Sequence, residues 1–146
     1  MKRLVLLLWV GLLALAGCDG ATSVSKQDRC NSSGRAGTCT VQFGSIAGGA
    51  YRYEVENSQF RSGTNAVEVT AQVTVETGTL LVWLEDPQGD KHTVTVEPGQ
   101  MAEIGGTAWV TGMSDERSFS VYFEPQGEGE AKRAENVQAE IRYSMP

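Results

Sequence analysis

Ten residues, Val67 to Glu76, alternate apolar and polar side chains without a break. Val67, Val69, Ala71, Val73 and Val75 fall on one phase, and Glu68, Thr70, Gln72, Thr74 and Glu76 on the other. A helix would scatter these two sets around its axis, whereas a strand sends successive side chains to opposite faces. The segment therefore predicts a strand with its Val/Ala face on a core and its Glu/Thr/Gln face in water.

The same period recurs along the chain, in CTVQF (39–43), AYRYEVE (50–56), LLVWLE (80–85), HTVTVE (92–97), MAEI (101–104), TAWVT (107–111), SFSVYFE (118–124) and VQAEIRYS (137–144). Turn chemistry separates these runs. Gly78 marks ETGT, and Pro87 and Pro98 preset the first central position of DPQGD and EPGQ. Regular short strands joined by Gly/Pro turns predict an all-β fold of about eight strands. An antiparallel β-sandwich or jelly-roll-like domain is expected first and a closed barrel second. No helix is expected after residue 17, and Pro125–Asn136 reads as a charged, glycine-bearing loop. The unit GTLLVWLEDPQGD resembles the jelly-roll accessory modules appended to secreted bacterial enzymes. At 146 residues the chain holds one domain and its extensions.

The N-terminus has a different grammar. Lys2 and Arg3 precede an apolar run from Leu4 to Leu15, and the small residues Ala16 and Gly17 lead to Cys18. These are the parts of a secretory signal, and the run is shorter than the ~20 residues that span a bilayer. Leu15-Ala16-Gly17-Cys18 resembles the lipobox of bacterial lipoproteins. That resemblance implies cleavage before Cys18, diacylglycerol on its sulfur, a palmitate-type fatty amide on the new N-terminus, and a lipid bilayer as partner. Two or more acyl chains are what make such anchoring stable. Asp19 resembles the inner-membrane retention signal of enterobacterial lipoproteins, so the protein is expected at a bacterial cell membrane, facing the periplasm or the exterior. The expected organisation is a signal peptide over 1–17, a lipidated Cys and flexible tether over 18–37, and a β-sandwich over 38–146. Within the tether, GATSVSKQDR (20–29) has one isolated apolar residue and no period, giving a span of roughly 20 Å.

With Cys18 acylated, Cys30 and Cys39 remain in a compartment that permits disulfides. The polar, glycine-bearing NSSGRAGT between them can fold back to let them pair. A metal pair is the alternative, with no histidine nearby to complete it.

Chemistry-bearing patterns are few. The formal charge is −6 with no basic–aromatic stripe, which argues against nucleic acid. The one histidine, His92, begins a strand after a turn, and no G-x-S-x-G nucleophile elbow accompanies the Ser and Asp residues. Glu85, Asp86 and Asp90 offer oxygens that calcium accepts, but the further acids of a calcium loop are lacking and a plain turn explains the stretch. The Gly-rich GSIAGGAY (44–51) lacks the Lys-Ser/Thr of a phosphate loop. No cofactor or metal is expected, and no enzyme activity. Against the core phases, Trp83, Trp109 and Tyr122 fall on the outward phase: either they are buried, by a central strand covered on both sides or by a loop lying over that face, or they form an aromatic platform for a sugar or protein partner. The expected function is a membrane-tethered, non-enzymatic binding domain of the cell envelope. A lipoprotein inhibitor of a hydrolase, using the Cys30–Cys39 loop, and a small-ligand barrel are the alternatives.

Overall fold

The computed structural model describes residues 20–61, 63–113 and 116–146. The expected signal segment, Cys18 and Asp19 lie outside the described residues. Ten strands run in the order β1 (Thr22–Val24), β2 (Gln27–Ser33), β3 (Ala36–Ala47), β4 (Tyr51–Glu56), β5 (Ala66–Thr74), β6 (Leu80–Glu85), β7 (Lys91–Val96), β8 (Met101–Trp109), β9 (Ser118–Pro125) and β10 (Arg133–Ser144). A single 3-10 turn at Gly129–Ala131 precedes β10.

Two antiparallel sheets pack face to face, so the fold is the expected sandwich and not a closed barrel. One sheet runs β1-β3-β10-β5-β8, with β2 also on β3, and the other runs β4-β9-β6-β7. The period-two phases point as the sequence indicates: Val67, Val69, Ala71, Val73 and Val75 are buried. From the facing sheet come Leu80, Val82, Leu84, Phe119, Val121 and Phe123, all fully buried. Phe43 fills the middle, its ring centroid 5.6 Å from that of Phe123.

The expected tether is corrected. Thr22 to Ser33 is strand, not leash. Since β10 occupies one edge of β3 along its whole length, β1 and β2 take the other edge in succession: Thr22 pairs with Ala47, and Ser33 with Ala36. The segment lacks apolar alternation because every residue of β2 is exposed. An edge strand forms from backbone hydrogen bonds alone and needs no buried face. The turn between β2 and β3 is two residues, Gly34-Arg35, with Gly34 at φ +59, as the first position of a type II′ hairpin requires.

A second correction concerns MAEI and TAWVT, which form one strand, β8, running through Gly105 and Gly106. A Cβ at Gly106 would stand 3.2 Å from the His92 ring. The glycine allows β7 and β8 to approach, closing that side of the sandwich. The strand expected from Val137 begins earlier, at Arg133, shortening the charged loop.

Cys30 and Cys39 are disulfide-bonded and sit directly opposite each other in the β2–β3 ladder. The bond staples an edge hairpin with a two-residue tip instead of closing a protruding loop. Beside it, the Tyr53 hydroxyl on β4 donates to Asp28 Oδ2 on β2 at 3.1 Å. This bond ties the free edges of the two sheets together. Burial, then the negative charge of Asp28 and the hydrogen bond to it, hold the Tyr53 phenol above its usual range.

Candidate functional site

On the outer face of the four-stranded sheet, register puts Arg52, Tyr122, Trp83 and Thr93 in one row across β4, β9, β6 and β7. Tyr122 and Trp83, cross-strand neighbours, stack with centroids 5.0 Å apart and planes 4° from parallel. Lys91 Nζ sits 4.9 Å from the centre of the Trp83 ring. Roofed in this way, Trp83 is 7% exposed although its phase is outward. Of the two readings of the outward rings, burial holds for Trp83, which is the covered support, with Tyr122 its half-covered partner.

Trp109 is the open member, at 44% exposure. It ends β8, which belongs to the other sheet, but the chain crosses over immediately afterwards. Val110 N–H donates to Asn65 O, Thr111 N–H donates to Ser118 O, and Thr111 pairs with Ser118 at the start of β9. The β6–β9 pairing runs from Leu80 to Trp83 against Tyr122 to Pro125, so a notch opens beside Ser120 before Thr111 takes over. Trp109 borders that notch. Arg52, Glu85, Trp109, Thr111, Ser120 and Tyr122 line a hollow of about 300 Å³ there.

The polar groups are held in place. Arg52 Nε donates to Ser120 Oγ at 2.8 Å, and its Nη2 lies 2.9 Å from Glu54 Oε1. Ser118 Oγ donates to the same Glu54 oxygen at 3.4 Å. The Arg52 guanidinium and the Ser120 hydroxyl thus line the hollow as a bonded pair, together with the Glu85 carboxylate and the Trp109 and Tyr122 rings. The rings stand out in the sequence and Glu85 does so only as an oxygen beside the DPQGD turn, whereas Arg52 and Ser120 carry no signal there. Each of these three polar residues lies on the outward phase of its strand, and only the register brings them together.

The other sequence candidates lie elsewhere. His92 pairs with Leu84 at the sandwich edge, half-exposed, with Nε2 3.7 Å from Asp86 Oδ2. In the turn, Asp86 Oδ1 accepts the Gln88 and Asp90 N–H groups, each at 2.9 Å. That carboxylate is spent on the turn itself, and no group of three metal-ligating residues occurs among the described residues. The outer face of the six-stranded sheet has a hollow of about 230 Å³ lined by Thr40, Gln42, Gln72, Gln138 and Glu140, with Met101 and no aromatic ring.

Fold and site together define a two-sheet antiparallel β-sandwich carrying an aromatic–polar cleft at one end. No protein-family model and no curated protein matches the chain. Among solved structures it is similar to Bacillus endospore appendages that form disulfide-linked pili (14% identity, 85% of this chain and 93% of that one, TM-score 0.45). It is also similar to the CBM22-1 xylan-binding domain from Paenibacillus barcinonensis Xyn10C (13%, 86% and 85%, TM-score 0.39). A third is the family 11 carbohydrate-binding module of Clostridium thermocellum Lic26A-Cel5E (7%, 87% and 87%, TM-score 0.34). At these scores the similarities say nothing of what this chain binds.

Proposed function

We propose that the chain is a lipid-anchored protein of the bacterial cell envelope whose sandwich binds a glycan, without catalysis, in the cleft beside Trp109. The observation that carries the reading is the exposed Trp109 ring set beside Tyr122, Arg52, Glu85 and Ser120 around one hollow. A pyranose has an apolar C–H face and a rim of hydroxyls. An aromatic wall accepts the first, while a guanidinium, carboxylate and hydroxyl exchange hydrogen bonds with the second. The volume is at the lower end of small-ligand sites, which suits one or two sugar rings and not a long apolar ligand. The lipid anchor rests on the lipobox at Cys18, and the oxidised Cys30–Cys39 pair agrees with an exported protein.

The test is titration of the mature protein with soluble fragments of peptidoglycan, chitin and xylan, followed by calorimetry. Trp109→Ala is expected to weaken binding at least about tenfold, the size of one lost hot-spot ring. Its melting midpoint should stay unchanged, because the ring is half in water. Binding that survives Trp109→Ala and Arg52→Ala together would move the site off this face.

A further inference from the structure

We infer that the free edge made by β1 and β2 lies along an anionic bilayer, the one that holds the lipid anchor. The inference rests on the lipoprotein reading of Cys18. Two residue steps separate Cys18 from Gly20, so their Cα atoms are at most about 7.6 Å apart. Gly20 lies against the turn after β3: at Gly48, φ +83, an added Cβ would come 3.0 Å from the Gly20 carbonyl oxygen. Two residues later β1 begins. A free tether over 20–29 would have let the domain roam by roughly 20 Å. The observed chain leaves no such slack and fixes one corner of the sandwich at the headgroups.

Pinned at a corner, the domain can rest on its end or on its edge, and the charges differ sharply. Gly20 to Arg35 carries Lys26, Arg29 and Arg35 against one acid, Asp28, in a chain of net charge −6. Lys26 and Asp28 stand 3.6 Å apart, so the surplus is Arg29 and Arg35, both exposed. Pairing with β3 spreads these groups along its stretch from Ala36 to about Gln42, roughly 20–25 Å. The end beside Gly20 has the opposite sign. Glu76, Glu97, Glu128 and Glu130 cluster in its turns, and its two cations are taken up by Glu124 and Glu135, at 3.2 and 3.0 Å. An anionic surface attracts basic groups within a Debye length and repels acidic ones. The edge therefore goes down and the acidic end stays off. Both sheets then stand upright on the membrane, and the Trp109 cleft opens parallel to it.

Beyond Lys2 the chain has three lysines, and they triangulate the pose: Lys26 on the edge, Lys91 on β7 at the far side, Lys132 at the acidic end. The full lipoprotein, extracted from membranes, is placed in phosphatidylcholine vesicles with or without phosphatidylglycerol. Acetylation by acetic anhydride is then followed at each lysine by mass spectrometry. Phosphatidylglycerol is expected to slow Lys26 several-fold relative to Lys91 and Lys132, and high salt to remove the difference. Arg29→Glu with Arg35→Glu should also remove it while the thermal melt is unchanged. Protection of Lys132 in place of Lys26, or equal rates at all three, overturns the edge-on pose. The N-terminal peptide mass is read in the same run. An unacylated Cys18 there overturns the anchor reading separately.

Discussion

Trp83 and Trp109 share an outward phase and have opposite fates, and the difference lies in their neighbours across the sheet. Trp83 sits mid-sheet, between Tyr122 and Thr93, under Lys91. Trp109 lies at a strand end where pairing has stopped. Trp83→Ala is therefore expected to cost roughly 3 kcal/mol in a urea melt, the low end for a buried tryptophan, because the outer face adjoins solvent. The core strand allows a cleaner comparison. Val73 is fully buried, and Thr74 lies on the polar face. Val73→Asp puts an unpaired charge in an apolar interior and should unfold the domain or nearly so. Thr74→Asp should shift the midpoint by no more than about 0.5 kcal/mol, as surface changes do. Equal shifts would mean the phase is reversed. Phase is the part of this molecule that its sequence states most plainly, because a two-residue period has only two answers. Exposure is less legible, since it depends on which strand comes alongside.

Elements defined by their own side chains were legible, and those defined by a partner's backbone were not. β5, β6 and β9 declare themselves by alternation. β1 and β2 do not, because β3's open edge supplies what holds them. The cleft was half legible for the same reason: its rings stand out in sequence, while Arg52, Glu85 and Ser120 meet only through pairing. Two bonds hold the β2 edge, and each has a measurable consequence. The disulfide closes a loop of nine residues' separation. Its reduction should lower stability by roughly 2.5–3 kcal/mol in the chain-entropy model, read as the urea midpoint with and without reductant. The Tyr53–Asp28 bond should respond to pH. The Tyr53 phenol titrates higher in the folded chain than its unfolded value of about 10. Its contribution is therefore complete below that pH and fades as pH rises toward the folded value. Between about pH 9 and 12 the wild type should lose stability more steeply than Tyr53→Phe. Parallel slopes would show that Tyr53 ionises as freely folded as unfolded.

At the scale of the whole molecule, the question is whether the domain needs the membrane proposed for it in order to fold. Among the described residues, the buried apolar ones run from Cys39 to Tyr143, and they join both sheets into one cluster without any residue before β3. Among the described residues, what precedes β3 contributes an exposed edge, a disulfide and the hydrogen bond to Tyr53, and on the lipoprotein reading proposed above Cys18 contributes attachment alone. Cys18→Ser should therefore separate anchoring from folding. Without the sulfur there is no acylation site, so label from a fatty-acid probe should vanish and the protein should leave a washed membrane fraction. The protein that remains should keep an intact Cys30–Cys39 bond by mass. Its melting midpoint should match that of the lipoprotein in neutral vesicles, since every core contact is retained. A retained label would remove Cys18 as the lipidated residue. A lower midpoint would mean that the bilayer supplies part of the fold, and that the exposed face of β2 is completed by lipid even where no anionic charge draws it down.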